Sequence, residues 1–313
     1  MAEDISPIHA AMGVVRDYIN DSRRKYVLLK NYKFWNQLCS SMDAIEYSDY
    51  AVEAYLSGDF PEDRGEQYLR VFGVLQSLIV QQDAVRHLYE ALSYKNPLEA
   101  FEKLQEIREI RNDCSGHPTK RHNGSSHFAF EMQKDRLSVI SYPSDGRTYS
   151  REIATLNLAR EQQKIVAGIL GDLNDVLGAE EKKHREQFKM IKLVDALGVR
   201  YPVEKVFEAV HRPADYPLGL IHVAEIKRNM GKFRTALVDR GIELDTYDSI
   251  KYVYEGMDYV VGEFEKYFQS LKAGATPRLS QQDAEVFWIA LEKHYSELSE
   301  MAAEIDAEYS KES

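Results

Sequence analysis

The chain has 313 residues, of which 44% are hydrophobic and 29% charged, a length that holds one large or two ordinary domains and a composition that excludes disorder. Nine prolines and 17 glycines are few for that length, which favours helix. Lys and Arg total 40 against 51 Asp and Glu, a formal net charge of −11, which excludes a general nucleic-acid binder that works by displacing counterions from a basic face.

Ile8, Ala11, Val14, Val15, Tyr18 and Ile19 recur at helical spacing, and so do Trp35, Leu38, Met42, Ile45 and Tyr55 within about 34–55. After Pro61-Glu62-Asp63, a run from Leu69 through Val71, Phe72, Val74, Leu75, Leu78 and Ile79 to Leu92 covers more than half of a helix circumference, which predicts a buried core helix. A shorter helix from about Pro97 to Arg111 turns Leu98, Phe101, Leu104, Ile107 and Ile110 inward, and the pattern stops at Asn112-Asp113-Cys114-Ser115-Gly116-His117-Pro118. His127 to Met132, Leu137 to Tyr142 and Thr148 to Ile153 read as extended, with a turn at Ser144-Asp145-Gly146, and predict a small antiparallel β ribbon over about 127–153. A long helix then runs from about Leu156 to Met190, its charged stretch Glu180 to Gln187 reading as a solvated face.

Beyond about 192 the sequence predicts helices at Val203 to His211, Leu218 to Arg240, Tyr247 to Leu271 and Ser280 to Tyr309, with a turn at Pro213 to Pro217. Ser280 with Asp283 reads as an N-cap with an acidic first turn, and Gly241 as a helix C-terminus. The expected fold class is mainly all-α: a helical domain over 1–190 that bears the ribbon, then a helical C-terminal bundle over 191–313 with no chemical motif. Neither an internal repeat nor a low-complexity linker marks the boundary.

Cys39 and Cys114 are the only cysteines and form no CxxC pair, so a disulfide framework and a cysteine zinc knuckle are both excluded and a reducing compartment is expected. The start, Met-Ala-Glu-Asp-Ile-Ser, lacks the basic and apolar runs of a signal peptide, and no stretch approaches the ~20 apolar residues of a membrane span. A cytoplasmic location without a membrane partner is the expectation.

The chemically pointed segment is Arg111 to His117. On an unbroken helix, six steps of about 100° leave these two side chains on different faces, so they meet only if the helix breaks. Gly116 and Pro118 provide for that, because glycine admits unusual backbone angles and the residue before a proline is pushed out of the α region. Arg111-Asn112 and His117 resemble the active-site motif of the HEPN superfamily, an Arg and a His separated by a short spacer, often with a polar residue such as Asn straight after the Arg. The resemblance extends over roughly the first 190 residues in helical layout and over this motif in residue detail.

It implies a metal-independent endoribonuclease, of the kind found among toxin and defence effectors, that uses no cofactor and works as a homodimer. His117 would move protons, Arg111 would hold phosphate and stabilise its developing charge, and Asn112 would orient either group. Lys120, Arg121 and His122 are the expected RNA-binding residues. From Arg111 to Phe130, Arg111, Lys120 and Arg121 stand against Asp113, a formal +2, so this is a local basic patch on an acidic protein. Some members carry a Tyr two residues after the His as a site of modification; Thr119 stands there, so regulation of that kind is not expected.

Other readings of the same residues stay open. Arg111 could pair with Glu109 or another carboxylate while Asn112 caps a helix end and Gly116-His117-Pro118 is only a turn, leaving a non-catalytic helical module that contacts a protein partner. Cys114, His117, His122 and His127 lie close enough in sequence to supply zinc ligands, although their spacing matches no zinc pattern. Glu181/His184 and Glu208/His211 each have the Glu-x-x-His spacing of a di-iron bundle, although Glu181 lies in a strongly charged run.

Overall fold

The computed structural model describes residues 6–20, 32–121, 124–143, 145–246 and 248–310. The chain divides into two compact units, Met1–Gly178 and Ala179–Ser313.

The first unit is helical around an aliphatic core. Helix α1 is Pro7–Asn20, α2 is Trp35–Ser57 and α3 is Arg64–Ala91. Asp63 starts α3 as an N-cap, its carboxylate accepting from the Glu66 N–H at 3.0 Å. Val71, Val74, Leu75, Leu78, Val85 and Leu88 of α3 are buried as the periodicity predicts. Leu69, expected inside, is exposed, since it lies in the first turns of the helix before the core begins. The buried face also carries polar groups: Gln82 donates to the Leu104 carbonyl and to Gln162, while Gln162 donates to Gln81 and to the Leu78 carbonyl. Amides in a core cost free energy unless bonded, and here they bond one another across three helices.

Helix α4 spans Glu102–Arg111 rather than starting near Pro97. The Asn96 side chain accepts from the Leu98 N–H at 3.1 Å, a 3-10 turn follows at Leu98–Ala100, and Phe101 is extended (φ −113°, ψ 96°), which turns its ring onto the core before the helix begins. Arg108, one turn before the motif, reaches back to Gln82 at 3.2 Å and Asp83 at 2.9 Å on α3, which sets the rotation of α4.

The three extended segments form one antiparallel sheet in the order β1 (Ser126–Met132), β2 (Leu137–Tyr142), β3 (Tyr149–Ile153). Ser126 pairs with Tyr142 and Phe128 with Ile140, and a bulge lies between Ala129 and Glu131. Leu137, Val139 and Ile153 share the inner face and are buried in the core. The Tyr55 hydroxyl on α2 donates to the Lys134 carbonyl at 2.6 Å, and the Lys134 ammonium to the Gly58 carbonyl at 2.6 Å, fixing the β1–β2 turn.

Helix α5 is Thr155–Phe188 and runs through the division between the units. In its charged stretch Lys182, Lys183, Glu186 and Gln187 face water, but His184 is half-buried against Phe188 and Tyr309, and Glu181 pairs with Arg185 at 2.5 Å.

The second unit adds α6 (Leu193–Leu197), α7 (Tyr201–His211), α8 (Tyr216–Asp239), α9 (Asp248–Lys272) and α10 (Gln281–Ser310) around Phe233, Phe264, Phe268 and Leu291. Ser280 and Asp283 cap α10 reciprocally: the hydroxyl accepts from the Asp283 N–H and the carboxylate from the Ser280 N–H. Gly241 ends α8 at φ +73°, the left-handed conformation that glycine adopts without strain. Arg240 is wholly buried between the Phe188 and Tyr309 rings, and Asp306 receives the Leu193 and Val194 N–H groups at the start of α6. Among the described residues, no helix is long and apolar enough to cross a membrane.

Candidate functional site

The helix does not break after Arg111. Arg111 and Asn112 keep α-helical angles, and the chain widens into a π turn over Asn112–Gly116, closed by the His117 N–H donating to the Asn112 carbonyl at 2.7 Å. The expected break comes at His117 itself (φ −138°, ψ 53°), where the following Pro118 disfavours helix. A π turn re-aims side chains relative to a plain helix, and such turns are frequent at functional sites.

Arg111 is held by neutral groups. Its Nε and Nη2 donate to Gln76 Oε1 at 3.0 and 2.6 Å, and its Nη1 to Asn112 Oδ1 at 3.0 Å. Among the described residues Arg111 has no carboxylate partner, so the guanidinium is oriented while its charge stays uncompensated. Gly116 makes room for it: a Cβ there would lie 2.6 Å from Nη1 and 3.2 Å from Asn112 Oδ1.

Asn112, His117, Lys120 and Arg121, with Glu109, line one open depression of about 520 Å³. Arg111 does not line it, and joins it through its hydrogen bond to Asn112. His117 and Lys120 are exposed, and among the described residues neither has a side-chain partner. Arg121, by contrast, pairs with Glu109 and lies 3.4 Å from Asp113, so its charge is largely spent on carboxylates. His122 lies outside the described residues.

Behind the depression Asp113 gathers positive and polar groups. Its Oδ2 accepts from Arg151 Nη2 of β3 at 2.9 Å, and its Oδ1 lies 3.4 Å from both Arg121 Nε and His127 Nε2. His127 is in turn 2.8 Å from the Ser141 hydroxyl on β2 and 3.1 Å from that of Ser125. Asp113 therefore ties the π turn to all three strands. Cys114 points the other way, into the core, and burial pushes its thiol up to about 12, beyond what the Arg151 charge offsets.

The glutamine on α3 and the arginine on β3 were not legible in the sequence, because Gln76 precedes Arg111 by 35 residues and Arg151 follows Asp113 by 38, with no motif at either. The alternative in which Arg111 pairs with Glu109 does not describe this site, since Glu109 pairs with Arg121. The zinc alternative rests in part on His122, which lies outside the described residues. Of the other candidate ligands, Cys114 is buried in the core whereas His117 is exposed, His211 pairs with Glu285 and Glu208 with Lys205.

Comparison of the chain with protein-family models, with curated proteins and with solved structures finds no match.

Proposed function

We propose that the protein is an endoribonuclease of HEPN type whose reaction centre is Arg111, Asn112 and His117. The observation that carries this reading is the Arg111 guanidinium, oriented by two amide oxygens with no carboxylate partner among the described residues, and bonded to Asn112, which lines one depression with the exposed His117. A cation so held is arranged for an anion that is not part of the protein, and a guanidinium matches the paired oxygens of a carboxylate or a phosphate, of which an RNA strand offers the phosphate.

In this reading His117 accepts the proton of a ribose 2′-hydroxyl, imidazole being the side chain that exchanges protons near neutral pH. The 2′-oxygen attacks the adjacent phosphorus, and Arg111 stabilises the charge that builds on the phosphoryl oxygens. The bond to the 5′-oxygen breaks and that oxygen takes a proton. One histidine cannot be base and acid in the same step, so a second copy of the chain would bring its own His117 across a two-fold axis. Both oxygens of Asp113 already face Arg151, Arg121 and His127, so the nucleophile is assigned to the substrate.

The test is cleavage of an all-RNA oligonucleotide and of one with a single 2′-deoxy position at the cut site, each in excess chelator. The all-RNA strand should yield a 2′,3′-cyclic phosphate and a 5′-hydroxyl, and the deoxy strand should survive. Equal cutting of both, or loss of activity in chelator, refutes the mechanism.

A further inference from the structure

One end of the outer face of the sheet carries a group of exposed aromatic side chains. Phe128, Ile140 and Tyr142 share it by register, with Phe128 and Tyr142 58% and 45% exposed and their rings edge to face at 5.5 Å. Phe130, left without a ladder partner by the bulge, is exposed as well. These rings do not anchor the sheet, because Leu137, Val139 and Ile153 do so from the opposite face. Single exposed aromatics are ordinary on a protein surface, but a contiguous group of them marks a contact site.

Two features identify the occupant. One is continuity with the site: the Ser126 hydroxyl donates to the Thr119 carbonyl at 2.7 Å and the His127 N–H to the Pro118 carbonyl at 2.7 Å, so β1 starts against the two residues that follow His117. Phe128 is two residues further along, ~7 Å of strand. The other is charge. The end of the sheet near the site adjoins Lys120, which has no side-chain partner among the described residues, whereas the carboxylates Glu131 and Glu152 lie at the far end beside Arg136.

We infer that Phe128 and Tyr142 form a stacking platform for unpaired bases, so that the substrate is single-stranded RNA laid from the His117 depression onto the sheet. This rests on the ribonuclease reading for the identity of the nucleic acid. Aromatic rings beside a backbone-binding cation are how proteins hold single strands, because every base offers a face to stack on, whereas the bases of a duplex stack on one another. A platform of this kind accepts many sequences and rejects duplex.

The test separates binding from cleavage. His117→Ala protein is titrated into a single-stranded RNA that carries one 2-aminopurine, with anisotropy reading affinity and the loss of 2-aminopurine fluorescence reading stacking. The single strand should bind more tightly than the same sequence annealed into duplex. Adding Phe128→Ala and Tyr142→Ala should weaken single-strand binding about fivefold or more for each ring removed and abolish the quenching. Phe128→Leu, which keeps apolar volume but lacks the π face, should lose the quenching, and Phe128→Trp should keep it. Unchanged affinity and quenching in the Ala and Leu variants overturn the platform, as does a change of oligomeric state in those variants with RNA binding intact, which would make the patch a contact between copies of the chain. Aromatic-dependent binding by a wild-type protein that never cleaves would keep the platform and remove the ribonuclease reading. Cleavage that ignores the aromatic substitutions would do the reverse, and failure of every form to bind RNA overturns both.

Discussion

Replacing Gly116 with alanine tests whether the position of Arg111, rather than its presence, sets activity. The backbone at Gly116 is helical and its φ lies outside the left-handed region, so alanine is conformationally allowed and gains about 1 kcal/mol of helix propensity over glycine. Its Cβ, however, would stand 2.6 Å from Arg111 Nη1, and the long side chain gives way more readily than the backbone. Moving it breaks the bond to Asn112 and strains the two to Gln76, each worth about 0.5–1.5 kcal/mol before water replaces part of the loss. The two effects nearly cancel, so stability should stay within about 1 kcal/mol of wild type, a few degrees of melting temperature at most. Activity should fall about 10²–10³-fold, the cost of losing a preorganised donor to a developing negative charge. Initial rates on a fluorogenic RNA, read beside thermal melts by circular dichroism, give both numbers. Wild-type rates in a folded Gly116→Ala protein would refute the role of the held guanidinium, and a collapse in melting temperature would show that Gly116 serves the fold first.

Arg111→Ala and His117→Ala should each abolish cleavage with melting temperature nearly unchanged, because His117 has no side-chain partner among the described residues and Arg111 contacts only half-exposed amides; a destabilised but active His117→Ala protein would reverse that assignment. Gln82→Ala should lower stability by about 2–4 kcal/mol in urea unfolding, since it strips partners from Gln162, the Leu104 carbonyl and Arg108 in or near the core, and a loss below 1 kcal/mol would mean that water or neighbours replace it. Stability should also decline as pH rises from about 9 towards 12. Burial pushes both the Cys114 thiol and the Tyr89 hydroxyl up to about 12, so the unfolded chain releases these protons first and binds fewer than the native state, which makes the slope of stability against pH negative. Urea midpoints that stay flat from pH 8 to 10.5 would contradict it.

Helices and strands were legible because their signal is local. The 3.6-residue recurrence in α1, α2 and α3, the alternation in Leu137 to Tyr142 and the Ser280/Asp283 cap are written in neighbouring residues, and the structure follows them closely. The start of α4 escaped because Phe101 satisfies helical spacing yet takes an extended backbone to reach the core. The division of the chain falls inside the unbroken α5, where the charged stretch Glu180 to Gln187 begins and reads in sequence as a solvated helix face. At the site the sequence supplies the inventory, Arg111, Asn112, His117 and Lys120, because those residues are adjacent along the chain. Which cation keeps its charge was decided in three dimensions. Packing of α4 on α3 gives Arg111 a neutral glutamine, while closure of the loop onto β1 gives Arg121 the carboxylates of Glu109 and Asp113. In sequence the two arginines look alike, and the partners that distinguish them are brought up by elements whose packing is driven by apolar burial elsewhere in the unit.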